Sequence, residues 1–131
     1  MFIKTITILV TLLPVFIFSP LANAVELLDD YYAYIGRDDL YNSSGGRLAE
    51  AWQVIRQDRA NYHKFGIRQR GDQSDSFFSS KRNRAIAERM IMNGHISRSA
   101  ASKIVRGGVD IHVEIYGEGN IGMSLNVTVQ E

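Results

Sequence analysis

The chain has 131 residues, 45% of them apolar, with no cysteine and with 15 lysines and arginines against 14 acids. Without a thiol it has no disulfide scaffold, thiolate zinc site, lipidated cysteine or cysteine nucleophile, and with charges this balanced no whole-protein field steers it to nucleic acid or a membrane surface. The length admits one small domain around one core, and not two.

Lys4 is the only charge in residues 1–24. An apolar run over 6–18 is followed by Ala22-Asn23-Ala24, the small-x-small pattern read by signal peptidase, so residues 1–24 are expected to be a cleaved secretory signal and Val25 to start the mature domain, 25–131. The run is 13 residues long and contains Pro14, short of the roughly 20 residues a membrane-crossing helix needs. No later segment is longer, which predicts an exported chain, periplasmic or secreted, with no transmembrane helix.

Residues 26–35 carry Leu27, Leu28, Tyr31 and Tyr34 or Ile35 at helical spacing, but their aromatic content suits a strand equally. A glycine turn at 42–46 feeds a helix expected over 47–64, with Leu48, Trp52, Ile55, Arg59 and Tyr62 on one stripe and Gly66 to stop it. After a polar loop, a second helix is expected over 81–93, buried through Ile86, Ala87, Met90 and Ile91, and a third over 98–106, with Ser97 as N-cap and Ile96 and Ala101 as a hydrophobic staple. From Val109 the period changes to two: Val109, Ile111, Val113 and Ile115 share one face, and Ile121, Met123, Leu125, Val127 and Val129 another. A C-terminal antiparallel hairpin (109–116, 121–130) packed on about three helices makes the fold class α+β. A lone hairpin is barely stable, so it must rest on the helices or pair with a further strand, for which 31–35 are the candidate.

Charge is unevenly spread. Residues 25–46 carry one arginine and five acids, residues 47–106 thirteen bases and five acids, and residues 107–131 four acids and no base. Either the acidic ends lie over the basic middle and offset it, or the middle presents a basic face to an anionic partner. Eleven of the fourteen bases beyond the signal are arginine, which suits fixed contacts to carboxylate or phosphate.

Three constellations could carry chemistry. Ser80, Lys81, Arg82 and Arg84, with Arg89 further along, put hydroxyl and cations at the start of the second helix, where an anion or an acidic partner would be held, unless Asp72 and Asp75 of the preceding loop supply the negative charge. In residues 56–64, Arg59 lies on the Trp52–Tyr62 stripe, so Asp58, Arg59 and Tyr62 are expected to form a structural polar cluster, with Arg59 stacked on aromatics and paired with Asp29, Asp30, Asp38 or Asp39. His63 with a neighbouring cation, and His112 and Glu114 two apart on a strand, are the catalytic candidates of a ribonuclease-like site, although exposed strand faces often carry such residues. Asp72 opens a calcium-loop-like run, but Phe77 and Asn83 occupy its glycine and bidentate positions. There is no phosphate-binding glycine loop, nucleophile elbow or zinc-protease signature, and no metal or cofactor is expected.

These features predict a small exported binding protein whose partner is a protein or anionic ligand of the cell envelope. The contact is either the basic helical face or the edge of the hairpin, whose second strand carries no Lys, Arg or Pro to block strand addition and so could support a homodimer. The alternative is a small secreted phosphodiester hydrolase using His63 or His112, Glu114 and arginines, against which the neutral charge balance counts, as it does against nucleic-acid binding.

Overall fold

The structure is a computed structural model that describes residues 2–3, 13–19 and 24–131; the expected signal lies mostly outside these. Strand β1 (Glu26–Ile35) opens the fold and pairs antiparallel with β2 (Val109–Glu118), which pairs antiparallel with β3 (Ile121–Val129), giving one sheet of order β1-β2-β3. Residues 26–35 are therefore strand. Tyr31, Ala33 and Ile35 face the core while Tyr32 and Tyr34 face away, a period of two that the tyrosines hid in the sequence by serving both faces.

Between β1 and β2 the chain forms a 3-10 turn (Arg37–Leu40), helix α1 (Ala51–Ala60) continued by a π turn (Asn61–Phe65), a second 3-10 turn (Phe77–Ser79), and helices α2 (Lys81–Ala85), α3 (Ala87–Met92) and α4 (Arg98–Arg106). Helix α1 begins four residues later than expected because Arg47 and Leu48 are held elsewhere, Arg47 in a β-bridge with Tyr41 and Leu48 through its N–H to the Leu40 carbonyl. The helix expected over 81–93 is broken at Ile86, whose φ of −97° and ψ of 7° leave the helical region. That bend lets Phe78, Ala87 and Met90 all turn inward. Ser80 and Ser97 cap α2 and α4, accepting from the N–H groups of Asn83 and Ala100.

The helices cover one face of the sheet. Ile111, Val113, Ile115, Leu125 and Val127 meet Val54, Ile55, Phe78, Met90 and Ile104 in a single core. The other face carries Asp30, Tyr32, Tyr34, His112, Glu114 and Tyr116, with no helix of the described residues over it. Both sheet edges are partly occupied. Along β1, Gln73 and Asp72 bond the backbone of Tyr32 and Tyr34. Along β3, His95 forms a one-residue parallel bridge, donating to the Leu125 carbonyl at 3.0 Å and accepting from the Val127 N–H at 2.9 Å.

This topology turns the uneven charge into two layers. The strands carry Glu26, Asp29, Asp30, Asp110, Glu114 and Glu118 and no lysine or arginine, while every base beyond Val25 lies between Arg37 and Arg106. The layers do not neutralise each other across their interface: among the described residues no lysine or arginine pairs with a strand carboxylate, and Lys103 pairs at 3.3 Å with Glu131, beyond the end of β3.

Candidate functional site

Arg59 anchors the polar interior. It is fully buried, its guanidinium lies 4.0 Å from the Tyr31 ring centre and 4.8 Å from that of Tyr62, and it donates to Asp58 at 2.8 Å and Asp75 at 2.9 Å. Its acids thus come from its own helix and the 66–76 loop, whereas the expected N-terminal partners do other work: Asp39 caps the 3-10 turn and holds Asn61, and Asp29 receives the Ser76 N–H. Asp75 also bonds His63 Nε2 at 2.8 Å and the Phe78 N–H. No hydroxyl of the described residues bonds His63, so this His–Asp pair has no nucleophile attached.

One guanidinium among two buried carboxyls leaves a surplus of negative charge. Burial pushes the Asp58 carboxyl up to about 7 against the opposing pull of Arg59, and its Oδ1 has no protein donor. Burial likewise raises Asp39 to about 6, although bonds from Asn61 and Gly36 favour its charged form. These groups specify the interior and do not form an open site.

His112 and Glu114 occupy the open sheet face, on the side opposite Arg59 and His63. His112 stacks on Tyr32 with ring centres 4.3 Å apart and bonds Asp30 at 2.8 Å, while Glu114 accepts from the Tyr116 hydroxyl at 3.0 Å. The two expected acid–base groups therefore each have their own partner, and His63 lies across the sheet from both. No group of three His, Asp or Glu side chains among the described residues is gathered closely enough to hold a metal ion.

The expected anion-binding set is divided by the fold. Ser80 is spent as the α2 cap, and Arg84 is buried, donating to the Phe78 and Ser79 carbonyls at 2.8 and 3.1 Å. Arg82 is exposed and lies outside the cleft described next; Arg89 lines a separate hollow beside Met123. Asp72 and Asp75, the acids that could have neutralised the cluster, are committed to Tyr34, Gln69, Arg59 and His63.

Lys81 instead meets cations from another element. Arg56, Ala60 and Lys64 fall on one face of α1 and its π turn, at intervals of four, and Lys81 and Ala85 fall on the facing side of α2. The two alanines leave room between the helices, and a cleft of about 270 Å³ opens there, lined by Arg56, Lys64, Lys81, the buried Arg84, Gln57 and Ser43. No acid lines it. Among the described residues Arg56, Lys64 and Lys81 have no ion-pair partner; Arg56 lies 4.9 Å over the Trp52 ring and Lys64 5.1 Å over that of Phe65. Arg56 and Lys64 belong to a stretch that the sequence marked as chemically dense but assigned to structure. Their four-residue spacing with Ala60 was the available signal, although only the approach of α2 gives it meaning.

The fold and cleft define a two-layer α+β domain with an unneutralised basic hollow on its helical side. Comparison with protein-family models, curated proteins and solved structures finds no match to the chain.

Proposed function

We propose that the protein is exported, is processed before Val25, and acts without catalysis by binding an anionic partner of the cell envelope in the cleft between α1 and α2. The observation that carries this reading is the convergence of Arg56, Lys64 and Lys81 over buried Arg84 with no carboxylate among them. Unpaired like charges around one hollow repel, and a bound anion removes that cost while receiving charge-assisted hydrogen bonds. The leader-like composition of residues 1–24 supports export.

The cleft is favoured over the hairpin edge because His95 occupies the centre of β3, so an added strand would have to displace it. It is favoured over a polyanion track because several bases have internal duties: Arg47 binds three carbonyls, Arg59 and Arg84 are buried, Arg68 stacks on Tyr62 and Lys103 pairs with Glu131. What remains is a local hollow and not an extended basic stripe.

A ligand bound only by the native state stabilises it by RT ln(1 + [L]/Kd), about 1.4 kcal/mol at tenfold excess over Kd, which corresponds to a rise in Tm of roughly 5 °C for a domain of this size. Sodium phosphate is expected to raise Tm by that order relative to sodium chloride of equal ionic strength, and a folded Lys64→Ala/Lys81→Ala variant is expected to lose the difference. An equal response in both proteins would remove the cleft as the site.

A further inference from the structure

The basic cleft does not end at its cations. Ser43, Gln57 and Phe65 line it and also line a second, larger hollow of about 470 Å³ on their other side, so the two volumes meet along one ridge. The second hollow differs in chemistry. It is lined by Asn42 and Asn61, the ring of Tyr41 and the apolar Ile67, with one acid, Asp38, beside Arg37. Phe65 on the ridge is 45% exposed and Ile67 39%, so an apolar wall stands open to solvent at the mouth of a polar cleft. A concave apolar wall with a few convergent polar groups, next to a charged end, is the form of a small-molecule site.

We propose, building on the anion-binding reading, that the ligand is an organic phosphate monoester: its dianionic phosphate sits among Arg56, Lys64 and Lys81, and its uncharged apolar body lies against Phe65 in the larger hollow. A dianion matches three unpaired cations better than a single carboxylate does, and Ser43 and Gln57 stand where the ester joins its body. The buried network fixes the second hollow in advance. Gln57 donates to Asn61 at 2.9 Å, and Asn61 donates to Asp39 at 2.9 Å and to the Asp38 carbonyl at 3.2 Å, so this wall of the hollow is held in place before a ligand arrives.

The chain contains one tryptophan. Because Arg56 lies over Trp52, an anion that draws Arg56 into the cleft alters the fluorescence of that residue. The test is a titration of the purified protein, followed by Trp52 emission, with inorganic phosphate, with phenyl phosphate and with phosphatidylcholine vesicles containing phosphatidic acid. Phenyl phosphate is expected to bind at least tenfold tighter than inorganic phosphate. Phe65→Ala is expected to abolish that preference, and Lys64→Ala/Lys81→Ala to weaken both probes at least tenfold. Vesicle binding that phenyl phosphate competes away supports the proposal with a lipid headgroup as source; phenyl phosphate binding without vesicle binding supports it with a soluble ester. Equal affinity for phosphate and phenyl phosphate overturns the bipartite site but leaves the basic cleft standing. Binding of neither, or equal binding by the Lys64→Ala/Lys81→Ala variant, overturns both readings. Vesicle binding that phenyl phosphate does not displace overturns the bipartite site.

Discussion

At the scale of single residues the molecule depends on Arg59. Its charge is held in the interior by two carboxylates and two tyrosine rings, so Arg59→Met strands Asp58 and Asp75 without a counter-charge. Breaking a buried pair from one side costs about 3–5 kcal/mol, a large part of what a small domain has. Urea denaturation is expected to show a loss of that order, and a change below about 1 kcal/mol would mean that Arg59 is not the anchor. The raised acids give a second residue-scale prediction. A carboxyl whose folded pKa lies above its unfolded value stabilises the fold most at low pH, and that contribution fades as pH rises through the folded value. For Asp58 the window runs from its ordinary 3.8 to about 7, and for Asp39 to about 6. Stability should fall across this range, and Asp58→Asn should remove the Asp58 share, so that Tm of the wild type minus Tm of the variant declines from pH 4 to pH 7. A flat or rising difference would contradict the assignment.

At the scale of elements the decisive junction lies between α3 and β3. Gly94 passes so close to β3 that a Cβ there would fall on the Leu125 carbonyl, and this approach lets His95 bridge the strand. Gly94→Ala must push backbone from backbone, and overpacking of this kind typically costs about 1–3 kcal/mol. Thermal unfolding is expected to show at least that loss, together with faster amide exchange at Val127, whose N–H bonds His95; an unchanged Tm would mean that the junction is looser than described. The same elements show what local sequence carries. The hairpin was legible because Ile111, Val113 and Ile115 alternate with polar residues, and the Ser97 cap because it precedes its helix directly. β1 was not, since tyrosines on both faces blur the alternation; nor was the Ile86 break, which serves the placement of Phe78 and Met90 in a core made by distant strands. Of the candidate site, Lys81 and Arg84 were visible as a run of cations. Arg56 and Lys64 were not recognisable as their partners, because the pairing exists only where α1 with its π turn and α2, separated in the chain by residues 66–80, meet over Ala60 and Ala85.

For the whole molecule, the acidic sheet and basic helical layer form a charge-segregated pair. Asp110 and Glu114 face away from the helices, with the sheet between them and the cleft, and charges separated by more than the screening length of roughly 8 Å at physiological salt interact little. Asp110→Asn/Glu114→Gln is therefore expected to alter phosphate affinity less than about twofold at 0.15 M salt and to strengthen it more visibly near 0.01 M, where screening reaches only beyond about 30 Å. Titration of the variant at both salt concentrations checks this. A large effect at physiological salt would place the anion near the sheet and not between the helices. The most direct measurement of the central claim is an amide chemical-shift titration of labelled protein with phosphate. The account predicts saturable shifts confined to Ser43, Arg56–Phe65 and Lys81–Ala85, with the strand residues unmoved. Shifts centred on Tyr32, His112 and Glu114, or none that saturate, would contradict it.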